Sequence, residues 1–144
     1  MRINGSFFLR LKNFFAPISA NAGSRGEQLA VDWLQRERNF AVILRNWRSP
    51  RDRRDEIDVV CRDGEVLVFV EVKARAAGAL VPGFFAVDAR KKRVLRRAIK
   101  AYLAGLREKP RAFRCDVVEV SLDEIKPEVL HFENVELFPK HFRG

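Results

Sequence analysis

The stretch DEIDVVCRDGEVLVFVEVKAR, residues 55–75, decides the fold. It holds two apolar runs, 57–61 and 66–70, on either side of Asp63-Gly64. An Asp-Gly pair between two strand-like runs is the strongest short-range signal for a β-hairpin with a two-residue turn. We therefore expect two antiparallel strands here. The unusual feature is that carboxylates and a lysine gather at the end of the hairpin far from the turn.

A turn at Asp63-Gly64 would pair Asp58 with Phe69 and Glu56 with Glu71. Because strand side chains alternate between faces, Glu56, Asp58, Glu71 and Lys73 should then project from one face of the sheet. The opposite face should carry only apolar side chains, namely Ile57, Val59, Cys61, Val66, Val68, Val70 and Val72. The sheet is thus expected to be apolar on both faces, with its charges at one end of one face.

Facing carboxylates about 5 Å apart repel each other, which costs roughly 3 kcal/mol per pair at an effective dielectric constant near 20. A hard divalent cation such as Mg²⁺ prefers oxygen ligands and would remove that cost. Lys73 would offset part of the repulsion and could stabilise a negative transition state. The alternative from the residues alone is a solvated sheet end, whose acids pair with Lys73, Arg75 and arginines of a nearby loop.

A helix is expected to precede the hairpin. Ser24 and Glu27 have the spacing of a capping box, and apolar residues follow at helical intervals to about Asn39. Glu27 shares a helical face with Val31 and Leu34, so it should point toward the sheet. Capping alone would also account for Glu27, and the two roles are compatible.

Further elements follow from the hydrophobic pattern. Strands are expected at 40–47 and 114–122, a long helix at 88–106, and a short edge strand within 129–137. The order αβββαβ(β) predicts an α/β fold, a mixed sheet flanked by helices. We expect residues 1–22 to form an amphipathic or disordered extension, and 23–144 a single domain with a basic tail.

The charge favours a polyanionic partner. The chain carries 28 Lys plus Arg against 19 Asp plus Glu, a net charge of +9 and a pI near 10.2. Two segments concentrate it: the loop 45–54 has five arginines, and 90–100 has seven basic residues in eleven. Nucleic acid, with DNA first, is the expected partner. The expected contacts are Arg45, Arg48, Arg51, Arg53, Arg54, Arg75, Arg90, Lys91, Lys92, Arg93, Arg96 and Arg97.

The two cysteines and the N-terminus bear on location. Cys61 and Cys115 lie in apolar runs without Cys or His at metal-ligand spacing, which indicates buried free thiols in a reducing cytoplasm rather than a zinc site. No stretch of 18 apolar residues exists, so no integral membrane span is expected. In 1–20, six apolar residues recur at helical spacing. A docked helix, a membrane-surface helix, a signal peptide and a start assigned too early all remain open.

The ordered blocks GEQLAVDWL, ILRNW, EIDVV, DGEVLVFVEVKAR, RKKRVLRRA and YL resemble the YraN-type family of uncharacterised bacterial proteins over residues 23–122. That family shares the restriction-endonuclease-like fold of the PD-(D/E)xK nucleases. Its metal-binding acid ends one strand, and Glu-x-Lys lies on the next. Here Asp58 and the Glu71-Val72-Lys73 segment match that pattern. The short pattern is weakly specific, whereas the ordered blocks are strongly specific.

The resemblance implies Mg²⁺ or Mn²⁺ ligation by Asp58, Glu71 and the Val72 carbonyl, with Glu56 as a further option. It implies that Lys73 orients or activates water and that Glu27 supplies a helix-borne acid. The chain departs from the family at Asp55, where glycine is usual. A metal-dependent nuclease is therefore expected, and the alternative is a non-catalytic module that binds nucleic acid or protein. Substrate form and oligomeric state stay open, a homodimer included.

Overall fold

The computed structural model describes residues 22–77 and 88–138. The elements, in chain order, are α1 (Ala22–Glu37), β1 (Ala41–Arg48), β2 (Glu56–Asp63), β3 (Val66–Arg75), α2 (Ala89–Gly105), β4 (Phe113–Ser121) and β5 (Val129–Phe132). This confirms the predicted order αβββαβ(β). The predicted N-terminal extension up to residue 21, most of the loop before α2 and the end of the basic tail lie outside the described residues. The proposed division at residue 23 stays a prediction.

The strands form one mixed sheet in the order β1-β2-β3-β4-β5. All neighbours pair antiparallel except β3 and β4, which are parallel. A parallel pair needs a crossover connection, and α2 lies in that connection. β3 is consequently the central strand, with two strands on each side.

One helix covers each face of the sheet. Ala30, Val31 and Leu34 of α1 pack with β-strand valines such as Val59 and Val70. On the other face, α2 packs against a cluster that includes Phe69; its buried residues are Leu95, Ala98, Ile99 and Leu103. Apolar burial on both faces explains why the central strands read as nearly continuous hydrophobic runs. Neither described helix has the length and apolar character needed to cross a membrane.

The hairpin turn differs from the prediction by two residues in register. Asp63 pairs with Val66, so the loop residues are Gly64 and Glu65 rather than Asp63 and Gly64. Gly64 has φ 57°, while Glu65 has no positive φ. Positive φ at only the first loop residue is the type II′ pattern, which glycine favours at that position. The predicted pairing of Asp58 with Phe69 is therefore wrong, since Phe69 faces Val60.

A slip of two residues leaves every side chain on its own face, because the side-chain period of a strand is two. Continuing the observed register one step past the Val59–Val70 pair places Asp58 opposite Glu71. The predicted pairing of Glu56 with Glu71 is therefore also wrong. The two carboxylates that face each other are therefore Asp58 and Glu71.

Strict alternation predicted that Ile57 lies on the same face as Val59, and this prediction is wrong. Ile57 belongs to the cluster under α2, together with Trp47 of β1, with which it pairs. The residue before Trp47, Asn46, has φ 52°, and the β1–β2 register shifts between Val42 and Leu44. A left-handed residue breaks the pleat, so the side chains beyond it change face.

Helix α1 begins before Ser24, so Ser24 is not its N-cap and the predicted capping box is absent. Glu27 hydrogen-bonds the Asn46 side chain instead. Beside it, Gly26 is buried against β3: a Cβ added there would lie 2.8 Å from the Cβ of Ala74. Glycine thus permits a closer approach of α1 to β3 than any larger residue would.

The two cysteines are free and buried, as predicted. Burial raises the pKa of Cys61 to about 12 and raises that of Cys115 even further. Both thiols therefore behave as small hydrophobic side chains.

Candidate active site

The site begins where the β2–β3 ladder opens. The last ladder pair is Val59 with Val70. Beyond it, the Val72 N–H donates to Oδ2 of Asp58 over 2.8 Å, so a side-chain carboxylate takes the place of a strand carbonyl. This bond fixes the Asp58 carboxylate at the end of the sheet, next to the strand that carries Glu71 and Lys73.

Glu71 is the centre of the site, and its side chain is only 3% exposed. Its Oε1 lies 3.1 Å from Nζ of Lys91, on α2, and 3.9 Å from Nζ of Lys73. Its other oxygen, Oε2, is buried without a hydrogen-bond partner among the described residues. Buried carboxylate oxygens are rarely left unsatisfied. Two partners would satisfy Oε2: a proton shared with Asp58, whose pKa a hydrogen bond from Glu71 lowers against the larger effect of burial, or a cation.

The raised pKa values of Glu71 and Asp58 indicate that these two acids lie close together. Burial and, after it, the neighbouring Asp58 raise the pKa of Glu71 to about 7, against the opposing effects of Lys91 and Lys73. Burial also raises the pKa of Asp58, while the Val72 N–H and Lys91 lower it. A carboxylate that resists ionisation near neutral pH, beside a second one, would gain from a nearby positive charge.

Glu27 and Glu56 border this pair. Partial burial and Asp58 raise the pKa of Glu27, while a hydrogen bond from Asn46 lowers it. Glu56 forms an ion pair of 2.7 Å with Arg48, and its charge adds to the raised pKa of Asp58. Glu27 thus comes from α1 toward Asp58, and Glu56 already has a cationic partner.

The donor set suits a hard divalent cation. Asp58 and Glu71 supply carboxylate oxygens, and the unpartnered Oε2 of Glu71 has a lone pair to give. Within residues 22–77 and 88–138, no group of three or more His, Cys, Asp or Glu side chains converges as a complete set of metal ligands. A metal here would therefore take its remaining ligands from water or from backbone. Ligation by the Val72 carbonyl stays a prediction.

The predicted nucleic-acid contacts fall into two groups. Seven bond to the protein itself. These are Arg45 to Gln28, Arg48 to Glu56, Arg54 to Asp52, Arg75 to Glu119, Lys91 to Glu71, Arg96 to the Leu137 carbonyl and Arg97 to Asp55. The other five form no ion pair within the described part of the chain. They are Arg51, Arg53, Arg90, Lys92 and Arg93, of which all but the half-buried Lys92 are exposed.

Asp55 is not a fourth acid of the site. It is 6% exposed, and it accepts hydrogen bonds of 2.7 and 3.2 Å from the Arg97 guanidinium. Its carbonyl also accepts from the Ser49 N–H over 2.9 Å. Asp55 therefore ties the arginine-rich loop to α2, and places both basic elements beside the sheet end.

Two charged groups near the site were not predicted in their present roles. Lys91 was assigned to nucleic acid, yet its ammonium is closer to Glu71 than that of Lys73. Glu119 is 1% exposed, pairs across the parallel ladder with Lys73 and forms a 3.2 Å ion pair with Arg75. Glu119 stands between the valines Val117, Val118 and Val120, and an acid in such an apolar run was a usable signal. Nothing in the basic run 90–97 distinguishes Lys91.

A cavity of about 820 Å³ lies elsewhere, between the end of α2, the start of β4 and residues 134–138. Leu103, Arg111 and Cys115 are among its lining residues. It contains none of the predicted site residues, so the acid cluster and the cavity are separate features.

Comparison with known proteins adds the family. The sequence profile of "Uncharacterised protein family UPF0102" matches residues 26–120, about two thirds of the chain. The chain belongs to the UPF0102 family. The resemblance to the YraN-type family is thereby confirmed, and the match spans α1 to β4, including every acid and lysine of the site.

Individual UPF0102 proteins are similar over most of their length. One from Geobacter metallireducens is 39% identical over 112 residues, which is 78% of this chain and 88% of that relative. One from Anaeromyxobacter dehalogenans is 44% identical, over 76% and 79% of the two chains. One from Mycolicibacterium vanbaalenii is 41% identical, over 81% and 93%. The UPF0102 domain therefore accounts for most of each relative.

Proposed function

We propose that this UPF0102 protein is a nuclease that hydrolyses phosphodiester bonds in nucleic acid, with DNA as the first substrate to test, and that it requires Mg²⁺ or Mn²⁺. One observation carries the proposal. The buried Glu71 carboxylate, beside Asp58 and two lysines, has one oxygen with no hydrogen-bond partner in the part of the chain that the structure describes. Clustered acids weaken the binding of a polyanion, so a protein that only bound nucleic acid would gain nothing from them.

In this reaction Asp58 and Glu71 would hold the metal ion. When bound, the metal neutralises phosphate charge and lowers the pKa of a water molecule. Lys73, 25% exposed, donates a hydrogen bond that orients the attacking water or stabilises the charge developing on the phosphate. Glu27 faces the same space from α1 and accepts a hydrogen bond from water. The Val72 N–H keeps Asp58 in position throughout.

The five basic side chains without ion pairs would hold the nucleic-acid backbone. They are Arg51, Arg53, Arg90, Lys92 and Arg93, on the arginine-rich loop and on the first turns of α2. These side chains bind phosphates by charge and carry little base specificity. Five phosphate contacts predict that log K falls with log salt concentration with a slope of about −4 to −5 for duplex DNA.

The test is a cleavage panel. End-labelled duplex, single-stranded and branched DNA, and RNA, are incubated with protein in EDTA, Mg²⁺ and Mn²⁺. Wild type should cut at least one of them only with metal, and Lys73→Ala and Asp58→Asn should not. Exposed Glu65 offers the matched control, because Glu65→Gln removes a carboxylate from the hairpin loop, at the opposite end of β3 from Glu71 and Lys73. Cleavage by Lys73→Ala at the wild-type rate would refute the proposal.

A second candidate function is a nucleic-acid-binding module without catalysis. The observation in its favour is that Glu71 already has two ammonium neighbours and Asp58 already has the Val72 N–H, so the site is largely neutralised from within. The same panel separates the two. Salt-dependent binding, with every substrate left intact in both metals, would support the module.

A further inference from the structure

Lys91 has contacts that set it apart from the other basic residues of α2. Its ammonium lies 3.1 Å from Glu71 Oε1, within hydrogen-bond distance, while Lys73 is 3.9 Å from the same atom. The Lys91 side chain is 27% exposed, about as much as the 25% of Lys73. The cation closest to the buried acid therefore comes from α2 and not from the Glu-x-Lys segment itself.

The start of α2 fixes where Lys91 stands. Asp88 is the N-cap, and its carboxylate accepts from the Lys91 N–H over 2.8 Å. The Asp88 carbonyl also accepts from the Lys92 N–H. An N-cap bond holds the first turn of a helix and thus the direction of its side chains. Lys91 is consequently held over the site by backbone contacts as well as by its ion pair.

The contact has a physical reason in the metal-free protein. An ionised carboxylate that is 97% buried pays a large desolvation cost unless a positive charge lies beside it. Lys91 supplies that charge in the metal-free protein, and a divalent cation bound to Glu71 would supply it in the metal-bound protein. Two cations close to one carboxylate repel each other, so the ammonium and a metal ion compete for Glu71.

We propose that Lys91 is a positioning residue that occupies Glu71 Oε1 in the metal-free protein and opposes, by charge repulsion, the binding of a divalent cation at the remaining oxygen, Oε2, so that metal binding drives the ammonium away from Glu71. Once displaced, the ammonium lies at the mouth of the site, on the same helix as Arg90, Lys92 and Arg93, where it faces an incoming phosphate. This inference rests on the proposed function, because it assumes that Glu71 binds a metal ion.

The first experiment measures Mn²⁺ binding by calorimetry, without nucleic acid. Lys91→Met should bind Mn²⁺ roughly tenfold more tightly than wild type, since it removes a unit charge from beside the carboxylate that would hold the cation. Lys91→Arg keeps the charge and should remain near wild type. Lys100→Met removes the same charge from an exposed position on the same helix, about 13 Å further along its axis, and should leave Mn²⁺ affinity unchanged.

The second experiment is a double-mutant cycle in EDTA. Lys91→Met should lower the melting temperature of wild type more than it lowers that of Glu71→Gln, because only the ionised acid needs the ammonium. Lys91→Gln replaces Lys91→Met if the latter does not fold. Equal shifts in both backgrounds would show that Lys91 does not hold Glu71.

The outcomes separate the two proposals. If wild type binds Mn²⁺ and cleaves nucleic acid, but Lys91→Met binds Mn²⁺ as wild type does or more weakly, the inference about Lys91 is overturned and the nuclease proposal stands. If wild type binds no Mn²⁺, both are overturned. Tighter binding by Lys91→Met without cleavage of any substrate would support the inference about Lys91 and refute the nuclease.

Discussion

The stability of the metal-free protein should fall as pH rises through the titration range of Glu71. Burial beside Asp58 raises the pKa of Glu71 to about 7, from the ordinary 4.5. A carboxyl with a raised folded-state pKa binds more protons when folded than when unfolded, so its contribution is present at low pH and is lost between about 4.5 and 7. The raised pKa of Asp58 acts in the same direction.

The magnitude follows from the two pKa values. A change of one pKa unit corresponds to about 1.4 kcal/mol, so Glu71 alone should reduce the free energy of unfolding by about 2 to 3 kcal/mol between pH 5 and pH 8. Glu71→Gln has no titratable proton at this position, so its free energy of unfolding should change between pH 5 and pH 8 only through other titrating groups. The difference in the pH dependence of unfolding free energy between Glu71→Gln and wild type therefore measures the contribution of Glu71.

The assay is urea unfolding in EDTA at pH 5, 6, 7 and 8, on wild type, Glu71→Gln and the exposed control Glu65→Gln. With typical m-values for a domain of this size, the wild-type midpoint should fall by about 1 to 2 M relative to Glu71→Gln. Glu65→Gln should follow wild type. If wild type and Glu71→Gln lost equal stability from pH 5 to pH 8, the argument that Glu71 is a strained buried acid would be refuted.

Three further predictions concern the scaffold and the basic surface. Gly26→Ala should destabilise the protein by about 1–3 kcal/mol in urea unfolding, because its new Cβ would lie 2.8 Å from the Cβ of Ala74 on β3. The control Gly23→Ala, whose Cβ would have nothing within 4 Å, should be neutral or stabilise the protein by up to about 1 kcal/mol. Equal effects of the two substitutions would contradict the packing argument. Asp55→Ala should cost about 1–2 kcal/mol through its lost hydrogen bonds, and an unchanged urea midpoint would show that the tie is unimportant. Arg93→Ala should make the salt slope of DNA binding less steep by about one, measured by fluorescence anisotropy, and an unaltered slope would exclude Arg93 from the interface.

The sequence was sufficient for the element order and for the convergence of the two acids. Asp58 and Glu71 were expected near each other from alternation alone, and an error of two residues in the turn left that expectation intact. The exact pairing was not predictable from Asp63-Gly64, because both type I′ and type II′ turns use glycine and place it differently.

Tertiary contacts decided the rest. The face of Ile57 depends on the left-handed Asn46 in a neighbouring strand, which no pattern within the hairpin reports. The position of Lys91 depends on how far α2 is rotated about its axis and where it is placed along the sheet. Asp55 stands next to Glu56 in the sequence, yet its partner is Arg97, forty-two residues later. Long-range pairs of this kind leave no local periodicity.

The central position of β3 has a consequence for dynamics. Amides of a strand with neighbours on both sides exchange with solvent only when a large part of the domain opens, whereas loop amides exchange through local fluctuations. Glu71 and Lys73 lie on that strand, while Arg51 and Arg53 lie on the loop before β2. The groups proposed for chemistry therefore stand on a strand held by its pairing with β4, which should open more slowly than the loop. If the proposed function is correct, the loop could change shape to fit different nucleic acids without moving Glu71 and Lys73.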